Sequence, residues 1–493
     1  MSPDQDKTPL FDAMVALAEH RKVSFHTPGH KSGKGISTRF RKFVGSKIFA
    51  IDLTTLDEVD SLHKPQGVIK DAQTLAALAY GADRSFFLLN GTTGGNHAMI
   101  LATCNPNDTV LVSRNAHKSV LAGLIFSGAQ PIFFDTEIDR NFNIPLNVTY
   151  ETTVAAIDAH PHAKTLFLTS PNYYGVCADI MRIIAYAHQK GLIVLVDEAH
   201  GPHLHFHPDL PRSAMSAGAD MAVQSTHKII GGMTQASMLH AQGTRVDMTT
   251  LAAVLRFVQT TSPSYILMAS LDLARMQMAT EGKKLLDKTI RLAEEARHQI
   301  NQIPGLFCIG QAHLVRETTR WDLDVTKLTI CVSGLGLSGY EASKILNNRY
   351  NIQVEMADAT HILVIVSIGD RREDLHRLVD SLRQMSKEDS RQVRPLFMEE
   401  ISLPPVGGIA RMTPRLAFFA SYQYLPLDQA CGAVSSEIVT VYPPGIPLLI
   451  PGEVVTSEIV AYIQTMDKWG ATIDGLSKNN TEIAVVTTSL QAG

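Results

Sequence analysis

The sequence predicts an α/β protein whose principal domain is a mainly parallel sheet, and three observations carry that prediction. First, short apolar runs recur between about residues 85 and 240 without polar alternation: SFFLLN (85–90), TVLVSR (109–114), PIFFD (131–135), KTLFLTS (164–170) and GLIVLVD (191–197). Runs of this kind are strands buried on both faces. Second, helical patterns near 95–104, 118–127, 151–159 and 179–190 separate them. That alternation is the signature of a parallel sheet covered by helices. Third, glycine-rich and polar stretches directly follow the strands, where open parallel sheets bind their ligands.

The remaining segments flank this block. Residues 1–50 form an N-terminal arm, with one amphipathic helix pattern (Leu10 to His20) and then the extended stretch Phe25 to Gly35. A large domain is expected over 51–310, ending in a long helical stretch from about 265 to 302. A smaller α/β domain follows over 311–389, with strands near 327–333, 352–356 and 361–367. The C-terminal domain, 390–493, opens on a charged and then proline-rich linker (390–403). It contains Tyr442-Pro443-Pro444-Gly445-Ile446-Pro447, a segment too rich in proline for a regular element.

Composition narrows the function. Hydrophobic residues are 45% and charged residues 19% of 493, the balance of a globular enzyme rather than a disordered chain. A net charge of -4 argues against bulk nucleic-acid binding. Five scattered cysteines, none in a CxxC, argue against a disulfide framework or a zinc site and fit a reducing compartment. No secretory h-region and no apolar run of membrane-spanning length is seen, so a soluble cytoplasmic protein is expected.

The chemistry sits after the strands. Asn90-Gly91-Thr92-Thr93-Gly94-Gly95-Asn96 opens a helix, where free N–H groups and hydroxyls hold a phosphate; a generic capped turn would look the same. Arg114-Asn115-Ala116-His117-Lys118-Ser119 places a histidine where it can stack on an aromatic ligand, or simply be structural. Asp197-Glu198-Ala199-His200 ends a buried strand with an aspartate able to pair with a ring nitrogen, and with a small Ala199 against which a flat ring can lie. Finally Ser225-Thr226-His227-Lys228, before Gly231-Gly232, offers a lysine that can attack a carbonyl. A phosphate cradle, a stacking histidine, an aspartate for a ring nitrogen and a lysine for an aldehyde are together the requirements of pyridoxal 5'-phosphate.

These motifs, with FHTPGHKSGKG, TTSPSY and VYPPGIPLLIPGE, resemble the PLP-dependent Orn/Lys/Arg decarboxylase family, closest to its short bacterial biosynthetic arginine decarboxylases. The resemblance runs nearly end to end. It implies fold type I (aspartate aminotransferase-like, with a seven-stranded sheet in the large domain) and decarboxylation of a basic amino acid. Arginine giving agmatine for polyamine synthesis comes first, then lysine or ornithine.

Carried over, the resemblance makes Lys228 the lysine bound to the cofactor aldehyde and Asp197 the partner of the pyridine nitrogen. His117 and Ala199 would face the two sides of the ring, and Thr92, Thr93 and Ser225 would hold the phosphate. Thr260 would reach the phosphate of a neighbouring subunit, implying a homodimer or higher oligomer with the active site at the subunit interface. His227 is a candidate for proton delivery; His200 stands where larger inducible members carry tryptophan. Selectivity for the distal cation would rest on carboxylates such as Asp57, Glu58, Asp60 or Glu453, while His30 and Lys31 could line a partner's site.

Other readings compete. Gly334-Leu335-Gly336-Leu337-Ser338-Gly339, with Glu355 downstream, is a literal dinucleotide fingerprint and would suit a nicotinamide oxidoreductase. The histidines at 200, 203, 205 and 207 are dense enough for zinc, but no carboxylate or cysteine joins them at ligand spacing, so no metal is expected. A catalytically silent PLP-binding regulator would keep the cofactor residues and release no amine.

Overall fold

The structure, a computed structural model, describes residues 4–20, 22–140, 143–314, 321–389, 408–442, 446–477 and 479–487. The chain divides into two compact units, Met1–Ala102 with Leu195–Asp287, and Thr103–Val194 with Lys288–Gly493.

The first unit carries strands in the order Arg84–Leu88, Ser237–Ala241, Met221–Gln224, and then the end of Ile193–Asp197 from Leu195 on. Asp197 lies opposite Val223 in a parallel pair. Ser237–Ala241, by contrast, is antiparallel to both of its neighbours, with His240 opposite Ala222 on one side and Ser85 on the other. The expected mainly parallel sheet thus carries one antiparallel strand. All five residues of this strand are buried, and a short buried strand has the same composition in either direction. Helix Pro9–Glu19 packs Leu10 and Met14, both fully buried, against Ile69, Tyr80, Phe87 and Met268. Its first turn is fastened by a buried ion pair: Asp272 accepts from the Leu10 and Phe11 N–H groups and lies 2.7 Å from Arg275. A carboxylate there satisfies two amides that the helix itself leaves unpaired.

The second unit holds Thr165–Thr169, Thr109–Ser113 and Gln130–Phe134, all parallel as the apolar runs predict. A separate antiparallel sheet follows in the order Phe307–Cys308, Lys327–Cys331, His361–Ile365, Met356–Ala357. Helices Gly339–Tyr350 and Arg372–Glu388 cover it through Ala342, Leu346, Leu378 and Leu382. This antiparallel sheet overturns the dinucleotide reading, which requires a parallel βαβ unit. The turn after Lys327–Cys331 is filled from within: Ser338 accepts from the Glu341 N–H, and the Glu341 carboxylate accepts from the Ser338 N–H. Those groups form a capping box that closes the start of helix Gly339–Tyr350.

Toward the C-terminus, Val439–Tyr442 pairs with both Ile446–Leu449 and Thr472–Asp474. The segment read as irregular is therefore strand on both sides, with Pro447 inside one of them; its centre, 443–445, and the expected linker 390–403 lie outside the described residues. Among the described residues, no helix is long and apolar enough to cross a membrane.

Packing is close where helix Gly91–Thr103 meets the sheet. A Cβ at Gly95 would lie 2.4 Å from Val223 Cγ1 and 2.7 Å from Leu88 Cδ1. The substitution Gly95→Ala gains helix propensity but overpacks this contact, which costs about 1–3 kcal/mol. A lowered denaturant midpoint is expected, and an unchanged or raised one would show that the helix can back away.

Candidate active site

The lysine is presented by a strand that stops abruptly. Met221–Gln224 is buried throughout, Ser225 turns the chain, and the single helical turn Thr226–Ile229 carries Lys228. Gly232 lets the backbone fold back, since a Cβ there would lie 3.0 Å from Thr226 Cγ2 and 3.2 Å from the His227 nitrogen. Lys228 is half-buried, and its Nζ lies 2.8 Å from His200 Nε2. A contact of that length joins a donor to an acceptor, so one proton is shared where two full cations would repel. His200, a candidate cofactor contact in the sequence, is thus brought directly to the lysine.

Asp197 ends the neighbouring strand at 3% exposure. Its two oxygens accept from the Ala199 N–H (3.0 Å) and from Asn96 Nδ2 (2.8 Å). No cation pairs with it among the described residues. A buried carboxylate served only by neutral donors is suited to a cationic partner such as a protonated ring nitrogen. The lysine and aspartate loops are stitched together by Glu198 N–H to Val223 O (2.9 Å) and Ser225 N–H to Ala199 O (3.3 Å).

Thr92 and Thr93 stand half-buried in the first turn of helix Gly91–Thr103, and Thr92 Oγ1 lies 3.3 Å from Ser225 Oγ. Gly91, at φ +62, makes the entry to that helix. Three hydroxyls therefore cluster at a helix start whose leading amides have no intrahelical acceptor. Thr226 Oγ1, fully buried nearby in the chain, has no hydrogen-bond partner among the described residues. These features fit a phosphorylated pyridine aldehyde.

Known proteins resemble this chain over nearly its whole length. A family model described as Orn/Lys/Arg decarboxylase, major domain, matches residues 8–374, and the model of the C-terminal domain of the same family matches 410–486. The chain belongs to the Orn/Lys/Arg decarboxylase family. It is 44% identical to an arginine decarboxylase of Bacillus subtilis over 459 residues, 93% of each protein. An arginine decarboxylase of Halalkalibacterium halodurans is 43% identical over 471 residues, 96% of each. Among solved structures, the lysine decarboxylase LdcF of Francisella novicida matches with a TM-score of 0.86 at 24% identity, over 97% of this chain and 81% of that one. An alanine–glyoxylate aminotransferase of Nostoc matches with a TM-score of 0.53 at 18% identity over 66% of this chain and 88% of that one, so the shared fold is that of fold type I enzymes.

Other residues singled out in this decarboxylase sequence have defined places. His227 sets Nδ1 3.0 Å from the Ala236 carbonyl, which makes Nδ1 the protonated nitrogen and leaves Nε2 as the acceptor. His117, in the second unit, caps helix Lys118–Ser127 by accepting from the Ser119 N–H at 3.2 Å. Thr260 is exposed, with its carbonyl 2.8 Å from His63 Nε2. His30 pairs with Asp52 at 3.0 Å, and Lys31, at φ +50, donates to the His26 carbonyl.

Three of the carboxylates considered for a distal cation prove to be engaged. Glu453, 4% exposed, takes a bidentate clamp from Arg114 at 2.7 and 3.0 Å and a hydrogen bond from the Ile450 N–H. Asp60 accepts from the Gln66, Gly67 and Ile69 N–H groups and so caps the helix Val68–Tyr80. Glu58 pairs with Lys22. The histidines at 205 and 207 turn to Ser216 and Asp287 respectively, rather than toward His200.

Sequence reasoning missed Asn96 as the clamp on Asp197, although it closes the quoted glycine-rich motif. It also missed a buried polar chain under the lysine strand. Glu198 accepts from the Ala214 N–H (2.7 Å) and from Gln224 Nε2 (2.6 Å); Gln224 Oε1 faces His240 Nε2 (3.1 Å), and His240 Nδ1 faces Ser85 Oγ (2.7 Å). Tyr80 stacks on His240 at 4.4 Å. Burial pushes His240 down to about 3, so the imidazole is neutral. Rotating the Gln224 amide reverses each donor from Glu198 to Ser85, so the chain is satisfied with Glu198 ionised or neutral.

Burial pushes the Glu198 carboxyl up to about 8, outweighing the hydrogen bonds from Gln224 and Ala214. The folded chain thus holds this proton where the unfolded chain has lost it. The associated stability is complete below the ordinary value of 4.5 and is lost as pH rises through about 8. Glu198→Gln should flatten the decline in denaturation midpoint across that window and leave the variant more stable than the parent above it. An unchanged slope would show that Glu198 is ionised throughout.

Proposed function

We propose that this chain is a PLP-dependent carboxy-lyase that converts L-arginine to agmatine and carbon dioxide, a step of polyamine biosynthesis, with L-lysine and L-ornithine as the next candidate substrates. The observation that carries the reading is the buried Asp197 carboxylate, held only by neutral donors, on the strand beside the one that presents Lys228. The choice of arginine is supported by curated arginine decarboxylases 41–44% identical over nearly the whole chain.

Thr92, Thr93 and Ser225 would hold the phosphate, Lys228 the aldehyde carbon and Asp197 the ring nitrogen, with Ala199 leaving room for the ring. When bound, the cofactor supplies an electron sink for the pair left by departing carbon dioxide. The chain's own part is to keep that sink effective. Asn96 and the Ala199 amide fix the Asp197 carboxylate, so the negative charge that retains the ring proton stays in place. His200 takes a proton from or returns one to Lys228 Nζ, which must be neutral to attack and protonated to leave. The Ala236 carbonyl fixes the His227 tautomer through Nδ1, and the other ring nitrogen would carry a proton to the substrate carbon.

The reading includes a homodimer or higher assembly in the cytoplasm. Exposed Thr260 and the 85% exposed Phe257 beside it are the groups an adjoining subunit would cover.

Purified protein with added PLP should release carbon dioxide from arginine in preference to lysine and ornithine. A yellow protein that releases none from any of them would turn the assignment toward a PLP-binding regulator. Lys228→Ala should lose both turnover and the visible cofactor absorbance. Asp197→Ala should keep its fold yet fall below about a hundredth of parental activity. Near-parental activity in the second variant would mean that another group fixes the ring nitrogen.

A further inference from the structure

The turn that imitates a dinucleotide fingerprint follows a strand ending in Cys331. In the antiparallel pair of Lys327–Cys331 with His361–Ile365, Cys331 lies directly opposite His361. Residues so paired point their side chains to the same face. His361 is 1% exposed, and its Nδ1 lies 3.1 Å from Asp358 Oδ1. The same carboxylate accepts from the Thr360 N–H (2.8 Å), the His361 N–H (2.7 Å) and the Tyr174 hydroxyl (2.8 Å). Nε2 of His361 is buried and has no nitrogen or oxygen partner among the described residues. The group left to share a proton with the ring is the Cys331 thiol. Cys331 is half-buried, and its Sγ lies 3.1 Å from Ser333 Oγ, the first residue of the turn. A thiol, an imidazole and an orienting carboxylate in this sequence form the arrangement that activates a sulfur nucleophile.

We propose that Cys331 is a modification site, a nucleophilic thiolate set against the His361–Asp358 pair, which takes low-molecular-weight disulfides by exchange. Sγ attacks one sulfur of the disulfide, whose S–S bond breaks as the new one forms. One half remains on Cys331 as a mixed disulfide; the other leaves as a thiolate and takes a proton from solvent. The incoming disulfide is the oxidant, so no further reagent is needed.

The electrostatics agree. Burial alone would push the His361 ring down, but the Asp358 charge prevails and holds it above its ordinary value. Burial likewise raises the thiol, yet the hydrogen bond to and charge of His361, with the Ser333 hydroxyl, bring Cys331 below its ordinary value. The other titratable groups facing this cluster are the phenols of Tyr174, Tyr340 and Tyr462, all raised first by burial and then by Asp358, and therefore neutral.

The test is internal to the chain, because Cys431 is exposed and serves as the comparison thiol. Native protein is treated with dithiodipyridine at about pH 6, and modified peptides are timed by mass spectrometry; Cys331 should react about tenfold faster than Cys431. His361→Gln should abolish that advantage and return the dependence on pH to that of an ordinary thiol. Should that variant not fold, Cys331→Ser provides an independent measure: it should lose one thiolate equivalent of ultraviolet absorbance at about pH 6 relative to the parent. Equal or slower labelling of Cys331 than of Cys431, or an unchanged thiolate signal in Cys331→Ser, would overturn the proposal.

Discussion

A carboxylate buried without a cation is the constraint from which the rest of the candidate site follows. Asp197 is 3% exposed and is met only by an amide side chain and a backbone N–H. Taking such a group out of water costs several kcal/mol of hydration unless charge is returned to it. The fold supports it from every side: helix Gly91–Thr103 is pressed onto the sheet at Gly95 so that Asn96 can reach it, and the strand carrying Lys228 is tied to its loop by backbone bonds. A position this costly to maintain is understandable where a cationic ring nitrogen is the intended partner.

The polar chain beneath it acts on the same constraint. Glu198 follows Asp197 directly, and two adjacent buried carboxylates could not both carry charge cheaply. The structure resolves this by making their surroundings unequal. Asp197 meets Asn96 and the Ala199 N–H, whereas Glu198 turns to Gln224 and Ala214 and is pushed up to about 8. A proton kept on Glu198 leaves the charge of Asp197 to the site alone.

Much of this site was readable in the sequence because its parts lie immediately after strands, and strands announce themselves by composition. Thr92, Asp197 and Lys228 each fall within a few residues of an apolar run, and the structure gathers Thr92 to Ser225 and Lys228 to His200. What could not be read depends on distance along the chain or on prior engagement. Ser85 and His240 are separated by 155 residues, and only an antiparallel strand joins them. Glu453 and Asp60 have the right charge for a basic substrate, but nothing in their neighbours in sequence reveals that Arg114, 339 residues away, or a ring of backbone amides already holds them. Residue type tells which charge is present; only the fold tells whether it is spent.

Histidine shows the same point most sharply. His240 and His361 are both fully enclosed, and burial alone would strip both of charge. His240 meets an amide and a hydroxyl, and it is pushed down to about 3. His361 meets the Asp358 carboxylate, and it is held above its ordinary value. One therefore works as a neutral strut whose tautomer can follow the Gln224 amide, while the other is a fixed cation facing a thiol. The difference lies entirely in one neighbouring carboxylate. The two sites reverse one arrangement: in one a buried carboxylate awaits a cation from outside the chain, and in the other the carboxylate has its cation and passes the benefit on to Cys331.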